Sequence, residues 1–312
     1  NSMRIVSLLP SATEIVCELG LADQLVGVSH ECDYPDSIRG IPIVTRSKLP
    51  SDLNSFQIDQ IVRQDFQAQA SLFSLRLDLL SELAPDLIVT QSLCEVCAVA
   101  DFEIERALEQ LVYKPKVLNL SPRNLREMFD SIQAVGLATG TLQRATEVID
   151  QLQRRVQRVV DSCKGIEPMR PEAVILEWLD PLFSAGHWNP ELIDLAGGRE
   201  CIGRSGSKSE SISWERLVDA NPDVLLIACC GYTIPKTLKD LPSLQGRPGF
   251  QELRAVRNHR VFIADGNAYF NRPGPRLVDT LEMIAHCLHP KQNPLPSALE
   301  SGLHRMDPKG QS

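Results

Sequence analysis

Short apolar runs alternate with stretches of helical periodicity along most of this chain. Residues 4–9, "RIVSLL", read as a buried strand. "SATEIVCELGL" follows with helical spacing. Ser11 stands as its N-cap, Glu14 three residues on, and Gly20 near its stop. "LVGVS" (25–29), "DLIVTQ" (86–91) and "KVLNL" (116–120) read as further strands, and 76–84, 101–111 and 123–138 as helices. Strands separated by helices form βαβ units and mainly parallel sheets.

From Leu142 to Lys164 the pattern changes. "LQRATEVIDQLQRRVQRVVDSCK" contains no Gly or Pro, and Val148, Ile149, Leu152, Val156, Val159 and Val160 recur at helical spacing. One helix here is over about 30 Å long. "GIEPMRP" stops it, and strands resume with "EAVILEW" (172–178), "DVLLIACC" (223–230) and "RVFIAD" (260–265). The expected fold is α/β, with two Rossmann-like lobes joined by one long helix. The lobes are 4–141 and 166–290, the linking helix is 142–165, and the polar 291–312 is expected to be a disordered tail. The Ser-rich "SGSKSES" (205–211) reads as a mobile loop.

The two halves echo each other. "LDLLSELAPDLIVTQSLC" runs helix, Pro-Asp, strand, Cys, and "WERLVDANPDVLLIACCG" repeats that order. This is duplication at the scale of a lobe, not a short solenoid repeat.

Parallel sheets bind ligands beyond the carboxyl ends of their strands. The turns there are "PSATE", "SHECDYP", "QSLCEVC", "LDPLFSAGHW", "CCGYTIP" and "DGNAYFNRPGPR", and they hold three of the four tyrosines. Aromatics with Asn, Ser and Gly, and few charges, suit a flat, bulky, partly apolar ligand. The candidate binding residues are Pro10, Ser11, His30, Cys32, Tyr34, Gln91 and Cys94 from the first half. From the second come Trp178, Phe183, His187, Trp188, Cys230, Tyr232, Asn267, Tyr269 and Arg272. Of these, Trp188 is expected to be exposed, while Trp178 serves core or pocket equally well.

Thiol and imidazole cluster at the same turns. His30, Cys32, Cys94 and Cys97 have the chemistry of a zinc site, with Cys94 and Cys97 spaced as half of one. A strand, Cys-x-x-Cys and helix start also fit a redox dithiol, and buried inert cysteines fit as well. No nucleotide-binding glycine motif, nucleophile elbow or metalloprotease helix motif is present, so no catalytic residue is assigned.

Bulk composition narrows the partners. The chain has 312 residues, 43% hydrophobic and 23% charged, which suits a folded protein of one large or two medium domains. With net charge −8, only 5% aromatics and no basic stripe, nucleic acid is not an expected partner. No apolar run nears the roughly 18–20 residues that span a bilayer, so membrane insertion is not expected either. Nine scattered cysteines do not form a disulfide framework. If Met3 is the native start, the cytoplasm is the expected compartment; if a signal preceded it, the periplasm is.

"IVSLLPSATEIVCELGL", "LVGVSHECDYP", "SELAPDLIVTQ", "ISWERLVDANPDVLLIA" and "RPGPRLVDTLEMIAHCLHP" resemble one branch of a known family. It is the cobalamin-binding branch of the helical-backbone substrate-binding proteins of ABC transporters, which also include siderophore and haem binders. The resemblance covers residues 4–290, with "DYP" at 33–35 the most specific link. It implies two lobes bridged by a rigid helix, little hinge closure, and a corrinoid or related tetrapyrrole in the cleft between them. It also implies delivery to a transporter through an acidic residue on each lobe, the first matching Asp78. The cysteines in "HECDYP" and "LCEVC" are similar to a cytoplasmic-looking subgroup. The reading is a non-enzymatic binding protein, with a zinc-binding or thiol-based sensor or enzyme on the same scaffold as its alternative.

Overall fold

The computed structural model describes residues 2–50, 53–67 (65–67 by backbone alone), 73–91, 109–111, 113–165 and 170–306. The chain divides into two compact units. The first is Asn1–Leu53, Gln57–Pro122 and Arg126–Gln151; the second is Asn54–Phe56, Arg123–Leu125 and Leu152–Ser312.

In the first unit, β1 (Ile5–Ser7), β2 (Leu25–Val28), β5 (Leu87–Thr90) and β6 (Lys116–Asn119) form one sheet in the order β2-β1-β5-β6. Every pairing in it is parallel. β3 (Thr45–Ser47) and β4 (Phe73–Leu75) form a separate antiparallel pair. The strand residues are short and apolar because β1 and β5 are buried on both faces, as parallel strands are. Val6, Leu8, Val44, Phe73, Leu80, Ile88 and Leu111 form a core cluster between that sheet and its flanking elements, among them α3 (Leu77–Leu83).

Helix α1 (Pro10–Glu18) is capped two residues earlier than the sequence suggests. Leu9 is the N-cap, in extended conformation, and Pro10 opens the helix. Proline suits that place because its missing N–H would be unpaired there and its φ is already helical. Ser11 is therefore not a cap but a buried residue of the first turn.

Helix α2 spans Ser55–Gln67, α4 spans Leu125–Thr139 and α5 spans Leu142–Ser162. At Gly136 a β-carbon would stand 2.5 Å from that of Ala145, so glycine is what lets α4 and α5 turn back on each other so closely. The 21 residues of α5 make it about 31 Å long. Ala145, Val148, Leu152 and Val159 form its buried stripe. In the second unit Arg155 of α5 donates to two carboxylates, Asp279 Oδ1 at 2.5 Å and Glu282 Oε2 at 2.7 Å.

The second unit has a mixed sheet ordered β10-β8-β7-β11-β12-β13, with β9 (Arg199–Glu200) also pairing β7. Its centre is parallel: β7 (Glu172–Leu179), β11 (Val224–Ile227) and β12 (Val261–Ala264). β8 (Leu182–Ser184), β10 (Glu210–Ser211) and β13 (Leu303–Arg305) are antiparallel additions. The helices are α6 (Asn189–Leu195), α7 (Trp214–Ala220), α8 (Ile234–Gln245), α9 (Arg254–Arg257) and α10 (Leu277–Leu288).

Two sequence expectations are corrected here. "SGSKSES" is not a mobile loop: its last residues form β10 against β8, and Ser207 accepts the backbone N–H of His187 at 2.6 Å. Nor is the tail past Pro290 disordered throughout. Residues 297–302 form a 3-10 turn, Leu299 is buried, and β13 pairs with β12. Leu295, Leu299 and Leu303, spaced by four, supply the apolar residues that hold it.

Candidate ligand-binding turns

In the second unit β7, β11 and β12 lie side by side and parallel, so the turns at their carboxyl ends are neighbours. Backbone and amide bonds tie them together. Cys230 donates its N–H to Glu177 O at 3.0 Å, and Asn267 donates its own to Tyr232 O at 3.0 Å. Asn271 Nδ2 bonds the carbonyls of Ala228 and Gly266 at 2.9 and 3.0 Å. Gly266 admits this closeness: a β-carbon there would meet Cys229 O at 2.1 Å. Asp265 Oδ1 accepts from the N–H groups of Asn267 and Ala268 at 3.0 and 2.8 Å, a side-chain-closed turn that "DGN" signals.

Aromatic side chains gather on this frame. Trp178 sits opposite Phe183 in the β7–β8 pairing, and both are partly exposed. Trp178 meets Tyr232 edge-on, with ring centroids 5.1 Å apart, an arrangement that suits the ring quadrupoles. Tyr232 is only 2% exposed, and Lys236 Nζ stands 4.0 Å over its ring. Burial raises the Tyr232 pKa, and the negative charge of Asp240 pushes the same way. Tyr269, half-buried, carries Arg276 over its ring at 5.2 Å. Arg272 is buried and donates to Asn267 Oδ1 at 3.1 Å.

His187 adopts a left-handed backbone, φ 52°, and its ring lies 5.4 Å from that of Trp188. Burial lowers its pKa, helped by the positive charges of Lys208 and Arg123, so the imidazole is neutral at pH 7. Trp188 is not the exposed residue expected from sequence. It is 5% exposed, and its indole N–H is spent on Phe270 O at 2.6 Å. Asn189 Nδ2 bonds the same carbonyl at 3.3 Å. Tyr232 is likewise packed away rather than open. Phe270, with φ 60°, was not singled out by sequence, because its role is to aim a carbonyl at residues 81 and 82 positions away.

In the first unit the turns after β1 and β2 meet through hydroxyl groups. Thr13 Oγ1 donates to Ser7 Oγ at 2.8 Å and lies 3.1 Å from Cys32 Sγ. His30 Nδ1 lies 2.6 Å from Thr45 Oγ1, and its ring packs 4.8 Å from Phe73. Its Nε2 is 3.3 Å from the Glu31 carboxylate. Tyr34 is 44% exposed. Pro10 is partly buried, and Gln91 is buried at the end of β5, its Oε1 without a hydrogen-bond partner among the described residues. Thr13 and Thr45, which hold Cys32 and His30, were missed from sequence because a threonine carries no signal of its own.

Cys94 and Cys97, and most of the expected helix at 101–111, lie outside the described residues. Among the described residues no three His, Cys, Asp or Glu are grouped to hold a metal ion. No helix in the described residues is long and apolar enough to cross a membrane.

Two α/β units whose strand-end turns carry aromatic rings, amides and a neutral histidine define a ligand-binding protein of the two-unit α/β class. The chain belongs to the periplasmic binding protein family, which it matches over residues 5–268. It is 24% identical over 298 residues to an uncharacterised ABC transporter substrate-binding lipoprotein of Bacillus subtilis, covering 92% of this chain and 80% of that protein. It is 23% identical over 281 residues to a vitamin B12-binding protein of Vibrio cholerae, covering 90% and 87%. Among solved structures, a periplasmic heme-binding protein from Pseudomonas aeruginosa matches its fold with a TM-score of 0.72 at 20% identity, covering 96% and 97% of the two chains.

Proposed function

We propose that this protein binds a corrinoid or a related tetrapyrrole at its strand-end turns, without catalysing a reaction. The observation that carries this reading is its similarity to a vitamin B12-binding protein along nearly the whole of both chains. The chemistry of the turns supports it. Trp178, Phe183 and Tyr269 offer flat apolar faces at partly exposed positions. Asn267, partly exposed and steadied by Arg272, offers an amide donor to the polar rim of such a macrocycle. His187, held neutral and partly exposed, is a ligand for its metal. Cys230 is partly exposed in the turn after β11.

The cargo reading extends to a partner. An ABC transporter would receive the ligand if the protein is exported, as the name of the Bacillus subtilis relative suggests for that protein. Our reading of the compartment is the cytoplasm, where the seven described free cysteines stay reduced; recovery of the native protein from the periplasm would overturn it.

Calorimetric titration with cobalamins, cobinamide and haem tests the ligand. Saturable one-to-one heats with at least one of them are expected. Heats absent for all of them would reject the tetrapyrrole reading.

A further inference from the structure

The second unit contains a cavity of about 510 Å³ beside the amino end of β12, whereas the turns described above lie beyond its carboxyl end. Thirteen residues line it, and none is Asp or Glu. The formal charge of that wall is therefore positive, in a chain whose net charge is −8. Its charged members are Arg260, Lys291 and Arg305, with His286, His289 and Asn258 between them.

Backbone carbonyls fix the two guanidinium groups. Arg260 Nη2 donates to Cys287 O and Leu288 O, at 2.9 and 2.8 Å, the last turn of α10. Arg305 Nε donates to His259 O at 2.6 Å. Burial lowers the Arg260 pKa; Asp223 opposes this, and the positive charge of Arg305 adds to it. Asp223 is itself shared with Arg254 at 3.2 Å. Two like charges thus face one cavity, and Lys291 stands exposed with no ion-pair partner among the described residues. Both imidazoles are oriented by carbonyls, His286 Nδ1 toward Asn293 O and His289 Nε2 toward Gly197 O, each at 3.0 Å. A carbonyl only accepts, so each named nitrogen carries the proton.

We propose that this cavity binds a small phosphate-bearing molecule with at least two negative charges, separately from the cargo site. Cavities of this size hold molecules up to the size of a nucleotide. Charge-assisted bonds from pre-positioned guanidinium groups are the strong kind, and Arg suits phosphate oxygens by its planar fork. No tetrapyrrole is needed for this, so the site stands whether or not the cargo reading does.

Inorganic pyrophosphate is the probe, titrated calorimetrically into the full chain at constant ionic strength. One-to-one binding is expected, weakening as salt rises. Arg305→Gln should weaken it about tenfold or more, and Lys291→Gln, at the exposed rim, about threefold. Arg260 is left unchanged because it also caps α10. Circular dichroism checks each variant; if Arg305→Gln does not fold, Lys291→Gln alone decides. Absence of saturable binding to the wild type, or an unchanged affinity in Lys291→Gln, would overturn the proposal.

Discussion

Asp86 and Asp223 hold matching positions in the two units. Asp86 accepts the N–H of Arg4 at 2.8 Å through Oδ2 and returns its own N–H to Arg4 O at 2.8 Å. Asp223 does the same with Glu172, at 2.9 and 2.8 Å. Each aspartate follows a proline, and each proline follows a left-handed helix cap, Ala84 with φ 40° and Asn221 with φ 38°. The repeated Pro-Asp is thus a clamp that sets the start of one strand against its neighbour. Replacing either aspartate by Ala removes the acceptor. Asp223 is partly buried and Asp86 exposed, so denaturant unfolding should show a loss of about 1–2 kcal/mol for Asp223→Ala and less for Asp86→Ala. Asn at either place keeps an acceptor oxygen and should recover most of the loss.

Arg155 is bound by two carboxylates, Asp279 and Glu282, whose side chains are only 18% and 16% exposed. Removing one member of such a group strands the others. Arg155→Leu is expected to lower stability by about 2–3 kcal/mol, since the site is not fully dry. Burial already raises the Asp279 pKa against the pull of Arg155, so loss of the cation should raise it further. Adding Asp279→Asn and Glu282→Gln to Arg155→Leu should restore much of the stability. Chemical denaturation at pH 7 measures both.

Glu200 gives the chain a pH dependence of unusual sign for a carboxylate. Burial pushes its pKa up to about 7, although the N–H groups of Ile202 and Gly203 donate to it at 2.9 and 3.0 Å. An unfolded Glu titrates near about 4.3. Between those values the folded chain binds more protons than the unfolded one. Its contribution therefore strengthens folding as pH falls below 7 and is lost as pH rises through 7. Glu200→Gln should remove that slope between about pH 5 and pH 8, seen by melting at each pH. A slope unchanged in the variant would assign it to other groups.

The thiols should divide by burial. Cys287 is 1% exposed and Cys229 fully buried, and burial raises both pKa values, that of Cys229 to about 12. The thiolate is the reactive form. Alkylation followed by peptide mass spectrometry should leave Cys229 and Cys287 unmodified in the folded protein while the partly exposed Cys230 reacts. Urea should release all three.

Much of this architecture was legible because parallel strands and their helices write strong local patterns. The apolar runs at β1, β5, β11 and β12, the Pro-Asp junctions and the long α5 each stand within three residues of where the sequence puts them. The strands it did not disclose are β3, β4, β8, β9, β10 and β13. Each has only two or three residues, and segments such as "ES" and "LHR" carry no alternation to read. The site was legible by position only. That Trp178 lies against Tyr232 follows from β7 and β11 being adjacent, a fact of topology. That Trp188 is closed off depends on the carbonyl of Phe270, far along the chain, and no local pattern encodes such a pairing.

The central claim is that the strand-end turns take up a metal-bearing tetrapyrrole. Its most direct test is an absorbance titration of the purified protein with aquocobalamin and, separately, with haem. We expect a saturable band shift for at least one of them, at micromolar concentrations or below, diminished in His187→Ala and in Trp178→Ala. Spectra that remain the sum of free ligand and protein for both compounds would contradict the account.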